Sequence, residues 1–337
     1  MASQIRRPNA QLIHEQAHIE KEPILPALRS PHSLLYATRP GALPARFRRE
    51  RVLIVGCADV GVRVARELGA RVRLLALTSS AQRVPTLRAL GITPLVGNLD
   101  QPASIRRLAG LATRVVHLAP PLETGRGDAR TQQLLAVLRR RTLPQHLVYG
   151  STSGVYGDCQ GEIAIETRAA NPGTTRARRR IDAEQRVRHF GRATGAGVNV
   201  LRIPGIYASD RVGGTPRERL VKGTPVLRQA DDVFTNHIHA DDLARACVAA
   251  LWRGLPGRVL NVNDDSVLKM GDYFDLAADL YGLPRPPRIA RDGAQNQLSL
   301  MLLSFMSESR RMDNTRLKKE LRFKLRYPTV AQGLVAA

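Results

Sequence analysis

From Arg51 onward the chain alternates short, β-branched apolar runs with amphipathic stretches of helical period, and this alternation restricts the fold more than any other feature. RVLIVG is strand-sized and ends at Gly56; VGVRVARELGA follows with its apolar residues on one face and Gly69 near its end. The unit recurs. RVRLLAL, ITPLVGNLD, RVVHLAPP and QHLVYGSTS read as strands, separated by AQRVPTLRALG, PASIRRLAGLA and DARTQQLLAVLRRR as helices. A long basic helix from about Arg176 to Thr194 follows, then a sixth strand, GVNVLRIPGIY, broken at Pro204. Strands joined by helical crossovers must lie parallel, with helices covering both faces of the sheet. The expected fold class is therefore α/β, with a doubly wound parallel sheet. Beyond Tyr207 the alternation loosens into short mixed elements, which suggests a smaller C-terminal lobe facing the sheet across a cleft.

Charge and cysteine usage narrow the partners. The formal net charge of +23 favours anionic or phosphorylated ligands through long-range attraction, but at 4% aromatic content and with no recognised module, specific nucleic-acid binding is not expected. Cys57, Cys159 and Cys247 stand too far apart for a disulfide framework or a zinc site, so a reducing, cytoplasmic setting is expected and no metal. No apolar run reaches the length a membrane helix requires, so no membrane association is expected. Residues 1–49 hold several prolines and no sustained period, and read as a disordered or loosely packed extension. Their arginine-rich, acid-poor second half also has the texture of an organellar transit peptide.

GCADVG, Gly56 to Gly61, sits at the first strand-to-helix turn. Dinucleotide folds place G-x-G-x-x-G there, because glycines let the backbone turn tightly and approach a pyrophosphate at a helix N-terminus. Gly56 and Gly61 are in place, Ala58 stands at the middle position, and Asp59 and Val60 open the helix, with Asp59 expected as its cap. Residues 50–210 are thus expected to form a dinucleotide-binding Rossmann domain. Residues 211–337 should supply mainly substrate-lobe segments, with some returning to the Rossmann sheet. After the second strand, LTSSAQR offers Ser79 and Arg83 and no carboxylate, a set suited to a 2′-phosphate; it favours NADP over NAD, with NAD still open.

The block LVYGSTSGVYGD, Leu147 to Asp158, gathers hydroxyls at the carboxyl end of the fifth strand, where open α/β sheets collect ligand contacts. It resembles the SS-x-x-VYG segment of extended short-chain dehydrogenases/reductases, the NAD-dependent epimerase/dehydratase family. GNLD, HLAPP, LRIPGIY, HIHADDLARA and LKKELRFKLRYPTVAQGL follow in the family's order across roughly residues 51 to 334. The resemblance implies a catalytic hydroxyl at Thr152 and cofactor contacts at Asp100, Leu118, Ala119 and Pro204. It also implies a homodimer, packed through the long helix, as the assembly to look for.

One departure stands out. The family carries Y-x-x-x-K beginning four residues after an Asn-Pro; here Pro172 is followed at those positions by Arg176 and Arg180, with Glu184 in its family place. A guanidinium stays protonated and cannot serve as acid/base. Arginines four apart share a helix face and could instead offer donors to a carboxylate, phosphate or developing oxyanion. The remaining arginines of the helix, Arg179 included, are expected on a solvated face, some bridged to Asp182 and Glu184. A proton would have to come from Tyr149, Tyr207, a histidine of NHIHADD, or water. The expected function is that of an NAD(P)-dependent oxidoreductase or epimerase/dehydratase-like enzyme on a small, anionic substrate. The alternative is a dinucleotide-binding sensor or scaffold without turnover.

Overall fold

The computed structural model describes residues 49–335. Seven strands form the central sheet: β1 (Arg51–Val55), β2 (Arg73–Thr78), β3 (Thr93–Val96), β4 (Arg114–His117), β5 (His146–Thr152), β6 (Gly197–Ile203) and β7 (Arg258–Asn261). They are all parallel and lie in the order β7-β6-β5-β4-β1-β2-β3. The order reverses between β1 and β4, so the connections that leave their carboxyl ends run to opposite faces of the sheet and open a crevice at that point.

The helices that cover the sheet are α1 (Asp59–Leu68), α2 (Val84–Ala89), α3 (Ala129–Leu138), α4 (Thr175–Thr194) and α5 (Ala240–Arg253). Side chains of β1 alternate between two cores. Val52 and Ile54 join Val64, Leu68, Leu243 and Leu251 beneath α1 and α5, whereas Leu53 and Val55 join Leu134, Val187 and Phe190 beneath α3 and α4. Burial of each such side chain contributes about 1.5–3 kcal/mol, and Val52, Leu53 and Ile54 are fully buried.

Two local readings change. PASIRRLAGLA was expected as an α-helix, but Pro102–Leu108 is a 3-10 helix. Its two buried apolar residues, Ile105 and Leu108, are three apart, the spacing that aligns side chains in a three-residue turn. Asp59 was expected to cap α1, but it is the first helical residue and Ala58 occupies the cap position without a side-chain hydrogen bond. Asp59 ion-pairs instead with Arg63, one turn on, and with Arg211.

The remaining segments pack as a separate apolar cluster around Tyr207, Tyr273, Phe274 and Leu334, with α6 (Met270–Tyr281) at its centre. Short parallel ladders tie 205–207 to 237–239 and 163–164 to 311–312. Buried Asp242 accepts backbone N–H groups from Arg326 and Tyr327 and so holds the C-terminal segment in place. The cap of α5 is His239, whose Nδ1 accepts the Asp241 N–H.

Candidate functional site

At the crevice, Gly56 adopts φ +87°, and a Cβ there would lie 2.4 Å from the Ala119 nitrogen. Only glycine lets the end of β1 pass this close to the exit of β4, where Leu118 and Ala119 donate N–H bonds to the Val55 carbonyl. A Cβ at Gly61 would meet the Gly56 carbonyl at 2.9 Å, so the first turn of α1 is equally tight. Ala58 is exposed. No side chain caps α1, so the backbone N–H groups of its first turn, Asp59 to Gly61, face outward as donors. These residues fit the diphosphate of a dinucleotide: an uncapped helix N-terminus behind a tight glycine turn.

Asp59 places a carboxylate beside that anion seat. The opposing charge is Arg63, 8% exposed, whose guanidinium reaches Asp59, Asp210 and Asp241 from three separate elements. Sequence reading missed this hub. Asp59 four residues before Arg63 was a visible signal, but Asp210 and Asp241 are joined to it only by tertiary structure.

Along the crevice, Ser79 is exposed after β2, and Arg83 reaches back to donate to the Cys57 carbonyl at 2.7 Å. Arg83 therefore spans from the end of β2 to the glycine turn. Asp100, after β3, is held by both oxygens in a fork with Arg130 at 2.7 and 2.6 Å, which keeps its carboxyl below the usual range. Pro204, half-buried, follows β6 directly.

The end of β5 carries the reacting-group candidates. Thr152 accepts the Gly154 N–H at 3.3 Å, which leaves its hydroxyl proton free to donate. Arg180 donates through Nη1 to the Tyr149 hydroxyl at 3.1 Å and to the Gly150 carbonyl at 2.8 Å. Its Nη2 and Nε groups have no hydrogen-bond partner among the described residues. Arg176, exposed one turn earlier, lies over the Phe305 ring at 5.4 Å. The structure thus brings Arg180 to Tyr149 and to the Gly150 carbonyl, two residues before Thr152, and turns Arg176 toward the Leu300–Phe305 helix.

Tyr149 is fully buried, and burial pushes its hydroxyl up to about 12 despite the Arg180 charge beside it. Behind it His117, also fully buried, is pushed down to about 3 by burial and by Arg180, and bonds Thr131 at 2.9 Å. His237 is likewise down to about 3 through burial, and burial lowers His239. Burial also drives Tyr207 far above its ordinary value. None of these groups is tuned toward neutral pH.

The remaining arginines of α4 do not all face solvent. Arg179, expected there, is 6% exposed and donates to the Gly125 carbonyl at 3.2 Å. Arg186 does bridge Asp182, at 2.7 Å. Glu184 pairs not with a helix arginine but with buried Arg202 of β6 at 2.9 Å, and accepts the Ser151 hydroxyl at 2.6 Å. This buried pair fixes the α4 backbone against β5 and β6, and so fixes the reach of Arg180.

A switch-point crevice with a glycine turn, an uncapped helix and a hydroxyl at the end of β5 defines a dinucleotide-dependent α/β protein. The chain belongs to the NAD dependent epimerase/dehydratase family, whose model matches residues 60–263. A functionally unknown conserved protein from Silicibacter pomeroyi DSS is 30% identical, with a TM-score of 0.71 over 85% of this chain and 96% of that one. A nucleoside-diphosphate-sugar epimerase from Pseudomonas aeruginosa is 19% identical, with a TM-score of 0.69 over 85% and 95%. MoeE5, solved in complex with UDP-glucose and NAD, is 20% identical, with a TM-score of 0.64 over 84% and 96%. No curated protein matches the sequence. Among the described residues, no helix is long and apolar enough to cross a membrane.

Proposed function

We propose that the chain binds a nicotinamide dinucleotide at the Gly56–Gly61 turn and acts on a small anionic substrate held at the end of β5. The observation that carries this reading is the close approach at Gly56, where a Cβ would sit 2.4 Å from Ala119 N, next to the uncapped N-terminus of α1. Ser79 and Arg83 follow β2 with no carboxylate nearby in sequence, a donor set that supports NADP over NAD. MoeE5 was solved with NAD and UDP-glucose, and the Pseudomonas aeruginosa protein is a nucleoside-diphosphate-sugar epimerase. Both support a phosphorylated, sugar-like substrate class.

When bound, the nicotinamide accepts or donates hydride. Thr152 donates a hydrogen bond from its hydroxyl to the reacting oxygen of the substrate and keeps its proton. Arg180 offers its free Nη2 and Nε edges to substrate charge or to a developing oxyanion. Tyr149 anchors Arg180 and does not exchange protons at neutral pH, because its hydroxyl is buried and bonded. The proton that accompanies oxidation or reduction is exchanged with water rather than with a side chain. This makes the pH-rate profile diagnostic: it should lack the limb that a catalytic tyrosine or histidine near neutrality would give.

A second reading is favoured by one observation, the arginine at each position of the family's tyrosine and lysine. A dinucleotide sensor or scaffold would bind the cofactor and need no acid/base. Transfer of deuterium from deuterated NADPH to a panel of phosphorylated keto-sugars separates the two. Transfer supports the enzyme; tight binding without transfer to any of them supports the sensor.

A further inference from the structure

A cavity of about 630 Å³ lies at the opposite end of β1 from the glycine turn. Glu50 precedes β1, Leu68 ends α1, Arg71 ends the 3-10 turn that follows it, and Trp252 sits in the last turn of α5; all four line it. Its volume falls within the roughly 300–1,000 Å³ typical of small-ligand sites. The floor is apolar, with Leu68 and Phe323 at 3% and 5% exposure. Five cationic side chains line it as well, and two of them are spent. Arg71 donates to the last carbonyls of α1, and Arg245 bridges Asp242. Arg253, Arg322 and Lys324 are exposed and have no ion-pair or hydrogen-bond partner among the described residues.

Two further observations set this cavity apart from an ordinary basic surface. Trp252, the only tryptophan of the chain, is 40% exposed at the wall, with one ring face covered by Arg114 at 5.1 Å. Arg322 is held at φ +46°, just past the C-cap of the Thr315–Glu320 helix, a position that glycine ordinarily fills. A bulky residue kept in the left-handed region costs stability, and such strain collects at ligand clamps.

We propose that this cavity is a second binding site, separate from the crevice, for a nucleoside polyphosphate. The Trp252 face would stack the base, while Arg253, Arg322 and Lys324 take the phosphate chain. The inference does not depend on what the crevice binds.

Because Trp252 is the sole tryptophan, its fluorescence reports this cavity alone. The full-length protein is titrated with ATP, with adenosine and with inorganic tripolyphosphate. The expected result is a saturable change with ATP, at least ten-fold weaker with either fragment. Arg322→Gly relieves the left-handed strain, so its unfolding midpoint should hold or rise while its ATP affinity falls at least ten-fold. Lys324→Ala, on an exposed side chain, should weaken ATP in the same direction. No fluorescence change with millimolar ATP would overturn the proposal, as would unaltered affinity in Arg322→Gly. Tripolyphosphate binding as tightly as ATP would overturn the role given to Trp252.

Discussion

Arg180 donates to the Tyr149 hydroxyl at 3.1 Å and, with the same nitrogen, to the Gly150 carbonyl at 2.8 Å, so a permanent cation is fixed two residues from Thr152. In place of the family's lysine beside its tyrosine, the chain has an arginine beside the fully buried Tyr149, whose hydroxyl burial pushes up. The charge is retained and the acid is not.

Removing that cation should affect binding more than folding. Arg180→Ala leaves the Tyr149 hydroxyl and the Gly150 carbonyl without this donor, at a stability cost of about 1–2 kcal/mol. Affinity for an anionic substrate analogue should fall by about ten-fold or more, since a hydrogen bond to a charged group contributes roughly 1.5–3 kcal/mol. Urea denaturation and calorimetric titration read the two effects separately.

Arg176→Tyr combined with Arg180→Lys rebuilds the side chains the family ordinarily carries. If the fold is otherwise competent for hydride transfer, the double variant should acquire a rate limb near the tyrosine's pKa that the parent lacks. Deuterium transfer measured across pH checks it; the same profile in both proteins would show that Arg176 does not stand in the proton path.

Arg202 and Glu184 are 6% and 5% exposed at their side chains, a buried pair 2.9 Å apart. Arg202→Met strands the Glu184 carboxylate and should cost about 3–5 kcal/mol. Adding Glu184→Leu removes the stranded charge and should recover part of that loss. Chemical denaturation of the two variants tests the order; equal midpoints would mean that the pair is not coupled.

Asp264 supplies a pH signature. Its carboxyl is 1% exposed; Oδ1 accepts the Ser266 N–H, Oδ2 has no hydrogen bond, and burial raises its pKa to about 8. A group raised in the folded state holds its proton while the unfolded chain has lost it, so its contribution to stability is full below about pH 4 and is lost as pH rises toward 8. Asp264→Asn should match the parent at pH 4 and exceed it in denaturation midpoint at pH 9. A constant difference across that range would contradict the assignment.

Much of this architecture is readable in the chain. Parallel strands covered on both faces must be continuous apolar runs, and LIV, LLAL and LVY announce themselves as such. Gly56 and Gly61 were legible because no other residue tolerates their positions. Tertiary pairs were not: nothing local links Arg63 to Asp241, 178 residues away, or Glu184 to Arg202. Arg179 is different, because a signal existed. It precedes Ala183, Val187 and Phe190 on one helical stripe, and all three are buried, so its place on the inward face follows from period alone. The Asp59 cap failed for a simpler reason. The carboxylate found Arg63 and Arg211, and a charged partner outbids a backbone amide.

The account rests on a dinucleotide seated at the Gly56 turn, and a thermal-shift titration of the purified protein with NADPH and NADH tests it most directly. A ligand that binds only the folded chain raises the unfolding midpoint as its concentration passes the dissociation constant. The expected result is a dose-dependent rise with NADPH, a smaller one with NADH, and a loss of the NADPH advantage in Arg83→Ala. A folded protein whose midpoint neither coenzyme moves at millimolar concentration would contradict the account.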